Sequence, residues 1–194
     1  GSYFNGLARM NKQTGTCQDA TSLLQGNLNA GKPKVSCIIE DKNKNLWVGT
    51  YGSGLYKINL PTQHVTYYES TRNENDDWSI NRLPNDWISY LLEDREGMIW
   101  IGTYKGLAVL NPQTDNFINY KKQNNLLPGY VVYSLLENSN GEIWAGTSEG
   151  LVCLNKDRLT PVLFTTADGL PSDIICGLAE DEKKNIWILS LIHI

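Results

Sequence analysis

The 194-residue sequence is poor in the residues from which many catalytic and metal sites are built. It has only two His, which argues against a histidine-based metal site or triad, and its four Cys show no metal-ligand spacing. No apolar run approaches the roughly 20 residues that span a bilayer, and the first residues lack the pattern of a signal peptide. We therefore expect no metal, no cofactor and no membrane span within this stretch.

The charge balance and the scarcity of helix signals exclude further classes. The net charge is −4 and no basic run exceeds two residues, so a nucleic-acid backbone would find no counter-charge. No stretch holds a 3.6-residue apolar period between caps. The sequence is instead rich in aromatic residues, with six Trp, ten Tyr and three Phe, and 41% of its residues are apolar. This composition predicts a folded, non-helical protein that does not bind nucleic acid.

An internal repeat organises the chain. Four Trp recur at spacings of 53, 44 and 43 residues, and each follows a Glu by seven positions. Three of them open a Trp-x-Gly-Thr phrase, and a Gly-Leu pair follows each phrase. The repeated positions are Trp47, Trp100, Trp144 and Trp187; Gly49, Gly102 and Gly146; and Gly54, Gly106 and Gly150. Self-similarity at such a fixed period is typical of repeat architectures.

Each repeat reads as four short strands. An apolar run precedes the Trp-x-Gly-Thr strand, and the Gly-Leu strand and a weaker strand ending on an aromatic residue follow it. Four antiparallel strands per repeat predict an all-β fold, a β-propeller of four-stranded blades. We expect the repeated Trp to fill the space between blades, and the Gly two residues later to admit a neighbouring strand.

The repeat divides the chain into three full blades and two half blades. The expected boundaries are a half blade at 1–30, blades at 31–82, 83–126 and 127–169, and a half blade at 170–188. We expect a partial propeller cut from a seven-bladed ring; pairing of the two half blades into a four-bladed ring is the less favoured alternative. Residues 189–194 match no other copy and read like a translated sequencing adapter, so we expect a non-native tail.

These phrases resemble the two-component-regulator propeller repeat. The family pattern is an apolar strand ending in Glu-Asp, a polar turn, Trp-Ile-Gly-Thr, Gly-Leu and an Asn-Pro-type turn, preceded by a Leu-Pro lead-in. It is readable here over residues 83–111 and 168–188. The resemblance implies the periplasmic sensor of a Bacteroidetes hybrid two-component histidine kinase, which detects an oligosaccharide and regulates glycan-utilisation genes.

The same resemblance implies the partners. They would be the rest of the propeller, the sensor kinase and a second copy in a homodimer, with the membrane reached only through other segments of the parent protein. The kinase domains would carry the catalysis, so we expect this chain itself to be no enzyme. Two alternatives stay open: a protein-interaction or dimerisation scaffold and, with less support, a propeller lyase or glycosidase.

Loops that differ between the copies are the candidate ligand surface, because loops tolerate change and carry function. An indole ring can stack on the apolar face of a pyranose while amides and carboxylates bind its hydroxyl groups. The candidates are Tyr51, Arg72, Trp78, Asn85, Asp86, Trp87, Tyr104 and Tyr130. Trp78 packed under its own loop, and an inter-blade hydrogen bond from the Tyr that follow Gly-Thr, are the alternative interpretations. The repeated Glu-Asp pairs recur in nearly every copy, so we expect them to cap turns or to be solvated.

Overall fold

The structure is a computed structural model that describes residues 6–24, 33–70, 82–120, 127, 131–155 and 161–191. Two short 3-10 helices, Thr21–Leu24 and Thr166–Asp168, accompany the strands of these segments. The strands are β1 (Ala8–Met10), β2 (Cys17–Asp19), β3 (Val35–Glu40), β4 (Asn45–Thr50), β5 (Leu55–Asn59), β6 (Val65–Tyr68), β7 (Ile88–Glu93), β8 (Ile99–Thr103), β9 (Gly106–Asn111), β10 (Asn116–Tyr120), β11 (Val132–Glu137), β12 (Ile143–Thr147), β13 (Gly150–Leu154), β14 (Pro161–Phe164), β15 (Ile175–Glu180) and β16 (Ile186–Ser190).

The strands pair antiparallel in chain order. Strands β3–β6, β7–β10 and β11–β14 each form a four-stranded sheet, and β1–β2 and β15–β16 form two-stranded sheets. Each four-stranded sheet is one blade, which confirms the predicted all-β propeller fold. The ring size and the blade boundaries stay predictions. Among the described residues, no helix has the length and apolar character needed to cross a membrane.

The repeated Trp residues join neighbouring blades. Trp47 and Trp100 are completely buried. Within its own blade, Trp47 stacks on Tyr68 at a centroid distance of 6.0 Å, and Trp100 stacks on Tyr120 at 5.8 Å. Trp47 also belongs to an apolar cluster with Ile88 of the next blade, and Trp100 belongs to one with Val132 of the blade after its own. These two Trp therefore lie between neighbouring blades.

The Gly two residues after each Trp lets the next blade approach. A Cβ on Gly49 would lie 2.7 Å from Cγ2 of Ile88, and one on Gly146 would lie 2.8 Å from Cγ2 of Ile175. Ile88 and Ile175 begin the first strands of the following blades. A side chain at either glycine would therefore push two blades apart, which explains why the repeat keeps Gly there.

Trp187 does not share the inter-blade position expected for it. Its side chain is 65% exposed, because no described blade lies against β16. Leu189, which occupies the place of the repeated Gly, pairs with Gly177 in the same two-stranded sheet. The non-native origin expected for residues 189–194 stays a prediction.

Candidate ligand-binding site

One end of the blades, here called the turn rim, carries the acidic turns at residues 41–45, 94–98, 138–142 and 181–185. Asp41 accepts the backbone N–H groups of Asn43 and Asn45 at 2.9 and 2.8 Å through Oδ1, and the indole N–H of Trp47 at 2.8 Å through Oδ2. Burial raises the pKa of Asp41, but these hydrogen bonds outweigh burial and hold the pKa below its ordinary value. The predicted turn-capping role is confirmed.

The Glu that precedes three of these turns links neighbouring blades. Its carboxylate accepts a backbone N–H from the acidic turn of the blade before it. The three bonds are Lys42 N–H to Glu93 (3.2 Å), Arg95 N–H to Glu137 (2.9 Å) and Ser139 N–H to Glu180 (2.7 Å). Sequence analysis missed this link, although the constant seven-residue spacing from Glu to Trp was a signal for it.

The third full blade departs from the pattern at the turn rim. Asn138 stands where Asp41 and Asp94 stand in the other blades, and its Nδ2 donates to Glu142 Oε2 at 2.6 Å. An amide nitrogen cannot accept a hydrogen bond. The buried indole Nε1 of Trp144 consequently finds no acceptor among the described residues.

The opposite end of the first two full blades carries an aromatic cluster, here called the aromatic rim and formed by Tyr51, Trp87 and Tyr104. The ring centroids are 6.2 Å apart for Tyr51 and Trp87, 6.1 Å for Tyr51 and Tyr104, and 5.5 Å for Trp87 and Tyr104, all edge to face. Trp87 remains 49% exposed. The structure thus brings together three of the predicted candidates from two adjacent blades.

Gly52, an extra residue in the first full blade, leaves room for the indole of Trp87. Three residues, among them Gly52, separate Thr50 from Gly54, which is one residue more than separates Thr103 from Gly106 in the next blade. Gly52 has a φ of +90° and donates its N–H to the Asp86 carbonyl at 3.0 Å. A Cβ there would lie 3.2 Å from Nε1 of Trp87. Two departures from the repeat, the longer turn and the Trp, therefore coincide in space.

Asn85 and Asp86 hold the segment that leads to Trp87. Asn85 Oδ1 accepts the N–H of Trp87 at 3.0 Å, and Asp86 Oδ1 accepts the N–H of Ser70 at 2.6 Å. The equivalent bonds in the last lead-in are Ile174 N–H to Ser172 Oγ (3.2 Å) and Thr166 N–H to Asp173 Oδ1 (2.7 Å). Asn85 and Asp86 therefore position the indole, and their direct contact with a ligand stays a prediction.

Tyr133 lies near this rim and was not among the predicted residues. The first strand of each blade shifts register near its start, which leaves one residue unpaired in a β-bulge. The residues in this place are Ser36, Ser89, Tyr133 and Cys176. Burial, the Cys176 thiol and the Tyr104 hydroxyl all raise the pKa of Tyr133. A large aromatic residue among small ones was the signal in the sequence.

The remaining candidates are Arg72, Trp78 and Tyr130, which lie outside the described residues. In the part of the chain that the structure describes, His, Cys, Asp and Glu side chains form no group of three that could hold a metal ion. The rings of Tyr51, Trp87 and Tyr104 at the aromatic rim can stack on a ligand and form hydrogen bonds with it.

Comparisons with known proteins show which repeat and which solved structures this chain is similar to. The model of the two component regulator propeller matches residues 31–52, 82–105 and 126–149. No curated protein matches the sequence. Among solved structures, the extracellular domain of the hybrid two component system BT3049 from B. thetaiotaomicron matches 95% of this chain with a TM-score of 0.77 and 25% identity. The corresponding domain of BT4673 from the same organism matches 97% with a TM-score of 0.74 and 23% identity.

The likeness to enzymes of similar shape is a likeness of fold alone. Virginiamycin B lyase from Staphylococcus aureus matches 97% of this chain with a TM-score of 0.68 at 13% identity, and the match covers 57% of the lyase. By contrast, this chain spans 24% of the length of each of the two B. thetaiotaomicron domains. The chain is a β-propeller with four-stranded blades, and three of its segments match the two component regulator propeller model.

Proposed function

We propose that this chain is part of the periplasmic sensor of a hybrid two-component histidine kinase and that its aromatic rim binds an oligosaccharide. The observation that carries the proposal is the cluster of Tyr51, Trp87 and Tyr104. Trp87 is half exposed while the two Tyr rings hold its edges. Rings fixed in advance lose little conformational freedom on binding, and an indole face suits the apolar C–H face of a sugar.

The wider role follows from the resemblance to sensor domains. Binding at the rim would be relayed through the rest of the propeller to a kinase, whose output is transcription of genes for using the same glycan. Membrane attachment, dimerisation and catalysis would belong to other parts of the parent protein. The chain itself binds its ligand and does not convert it.

Calorimetric titration of the chain tests the proposal. The probes are maltohexaose, cellohexaose, xylohexaose and hexagalacturonate. We expect one of them to bind and Trp87→Ala to weaken that binding at least tenfold, which is about 1.4 kcal/mol. Trp187→Ala is the matched control, because Trp187 is also an exposed indole but lies away from the rim. The proposal fails if no probe binds, or if both variants lose affinity equally.

A protein-interaction scaffold is the second candidate. The exposed indole of Trp187 lies at the last two-stranded sheet and favours an association surface. Light scattering distinguishes the two functions. Association that Trp187→Ala abolishes and that no saccharide alters would support the scaffold.

A further inference from the structure

We propose that the binding surface continues from the aromatic rim into the third full blade, where Tyr133 forms a second sugar contact. The site would then take a saccharide of two or more linked units in preference to a single sugar. This inference rests on the function proposed above and names the size class of its ligand.

The β-bulge in the third full blade is the first support. In a bulge, one residue has no partner on the neighbouring strand. Its side chain therefore does not follow the regular up-and-down alternation of the strand. Tyr133 is that residue in β11, where the register shifts between Val132 and Ser134. Its side chain is half-buried, so part of the ring remains open to solvent.

Direct contacts fix this bulge against the second full blade. The Ser89 hydroxyl, from the bulge of β7, donates a hydrogen bond to the carbonyl of Val132, the residue just before Tyr133. Cγ1 of Val132 lies 3.1 Å from the place that a Cβ on Gly102 would occupy. Gly102 is only two residues from Tyr104, so the bulge and the aromatic rim are held together at the same blade junction.

Tyr104 connects the two contact points. Its ring is 5.5 Å from that of Trp87, centroid to centroid, and its backbone N–H donates to the Trp87 carbonyl at 3.1 Å. Burial, and next to it the Cys176 thiol and the Tyr104 hydroxyl, raise the pKa of Tyr133, so its hydroxyl is protonated at neutral pH and can both donate and accept hydrogen bonds.

The size of the ligand follows from the places of the two rings in the repeat. Trp87 directly precedes the first strand of the second full blade and Tyr133 lies in the first strand of the third, so a sugar stacked on Trp87 would leave Tyr133 to a linked unit. Two linked sugars can contact both rings at once, and the second contact becomes intramolecular once the first has formed. An oligosaccharide should therefore gain affinity from Tyr133, and a monosaccharide bound at Trp87 should not.

The test compares two substitutions of Tyr133 in the whole chain. Tyr133→Ser carries the residue that the bulges of two other blades already hold, Ser36 and Ser89, and Tyr133→Phe keeps the ring. Each variant is titrated with the four hexasaccharides and with glucose, xylose and galacturonate, and urea unfolding checks that the fold is intact. We expect Tyr133→Ser to weaken hexasaccharide binding about fivefold or more, with Tyr133→Phe within about twofold of the wild type.

The outcomes separate this inference from the proposed function. If Trp87→Ala weakens hexasaccharide binding and Tyr133→Ser does not, the second contact is wrong and the proposed function stands. Equal weakening of monosaccharide and hexasaccharide binding by Tyr133→Ser would also overturn the extended site. If neither variant weakens binding, or no probe binds, both proposals fail.

Discussion

The turn rim and the aromatic rim lie at opposite ends of the same first strands, and they differ in which side chains recur from blade to blade. At the turn rim, Asp41 and Asp94 bind the Trp of their own blades at 2.8 and 2.7 Å. At the aromatic rim the recurring contacts hold the backbone, such as Tyr104 N–H to the Trp87 carbonyl and the Thr103 hydroxyl to the Gly106 carbonyl, whereas the exposed ring of Trp87 belongs to one blade. A constant backbone with variable side chains is what a binding surface on a repeat scaffold requires. The repeated contacts therefore hold the blades together, and the variable ones are free to specialise.

Replacing one Trp at each rim should give the largest difference in unfolding free energy between the two rims. Trp100→Ala empties a completely buried position and should cost about 3–5 kcal/mol of unfolding free energy. Trp87→Ala removes a half-exposed ring with edge-to-face contacts and should cost only about 1 kcal/mol. Urea denaturation measures both values. Equal losses would contradict the division of roles between the rims.

A single-atom change at the turn rim should have the next largest effect. Asp94→Asn keeps the acceptor for the backbone N–H groups of Glu96 and Met98 but turns an amide nitrogen towards the indole N–H of Trp100. Leaving this buried donor unsatisfied should cost about 1–3 kcal/mol in urea denaturation. The exposed Glu182→Gln is a matched charge control, and a loss no larger than that of the control would refute the capping role.

Lowering the pH should reduce the free energy of unfolding through protonation of Asp41 at the turn rim. Since hydrogen bonds hold the folded-state pKa of Asp41 below its ordinary value of 3.8, its contribution is complete above that value. The contribution is lost as the pH falls through the lower folded-state pKa. Urea midpoints measured between pH 6 and pH 2 should therefore fall less in Asp41→Asn than in the wild type. An identical acid dependence in both proteins would contradict this assignment.

A double substitution in the irregular third full blade should raise the free energy of unfolding. This is the smallest effect that we expect. Asn138→Asp alone would place a carboxylate beside that of Glu142, because the present amide nitrogen lies 2.6 Å from Glu142 Oε2. The double change Asn138→Asp, Glu142→Asn recreates the Asp41–Asn45 pair and gives the Trp144 indole an acceptor. We expect the double variant to gain about 1 kcal/mol.

The single variants of this pair serve as controls in the same urea series. Asn138→Asp should gain less than the double variant because of charge repulsion. Glu142→Asn alone should not stabilise the protein, because the Trp144 indole still lacks an acceptor. If Asn138→Asp is as stable as the double variant, the exchange of donor and acceptor between the two positions is not what distinguishes this blade.

The fold was predictable from sequence because the same physical constraint recurs in every blade. A Trp next to a Gly that another blade must approach allows few substitutions, so Trp47 and Gly49 stand out as a pattern. The capping role of Asp41 was predictable for the same reason. The inter-blade bond from Glu93 to Lys42 was not, because nothing local in a sequence shows which distant backbone N–H a side chain will meet.

The candidate site was predictable only in part. Tyr51, Trp87 and Tyr104 could be named as variable rim residues, but their mutual contacts depend on how two blades are placed. The close approach of the Trp87 indole to Gly52 depends on one extra residue in a turn, and the sequence does not show which distant side chain will lie there. Tyr133 escaped notice because a β-bulge, which decides where its side chain lies, has no clear sequence signal of its own.

The most direct test is hydroxyl-radical footprinting of the chain with and without the saccharide that binds it, read by mass spectrometry at each Trp. Trp87 and Trp187 are both well exposed, so both should be oxidised in the free protein. We predict that the saccharide protects Trp87 and leaves the oxidation of Trp187 unchanged. Protection of Trp187 without protection of Trp87 would contradict the assignment of ligand binding to the aromatic rim.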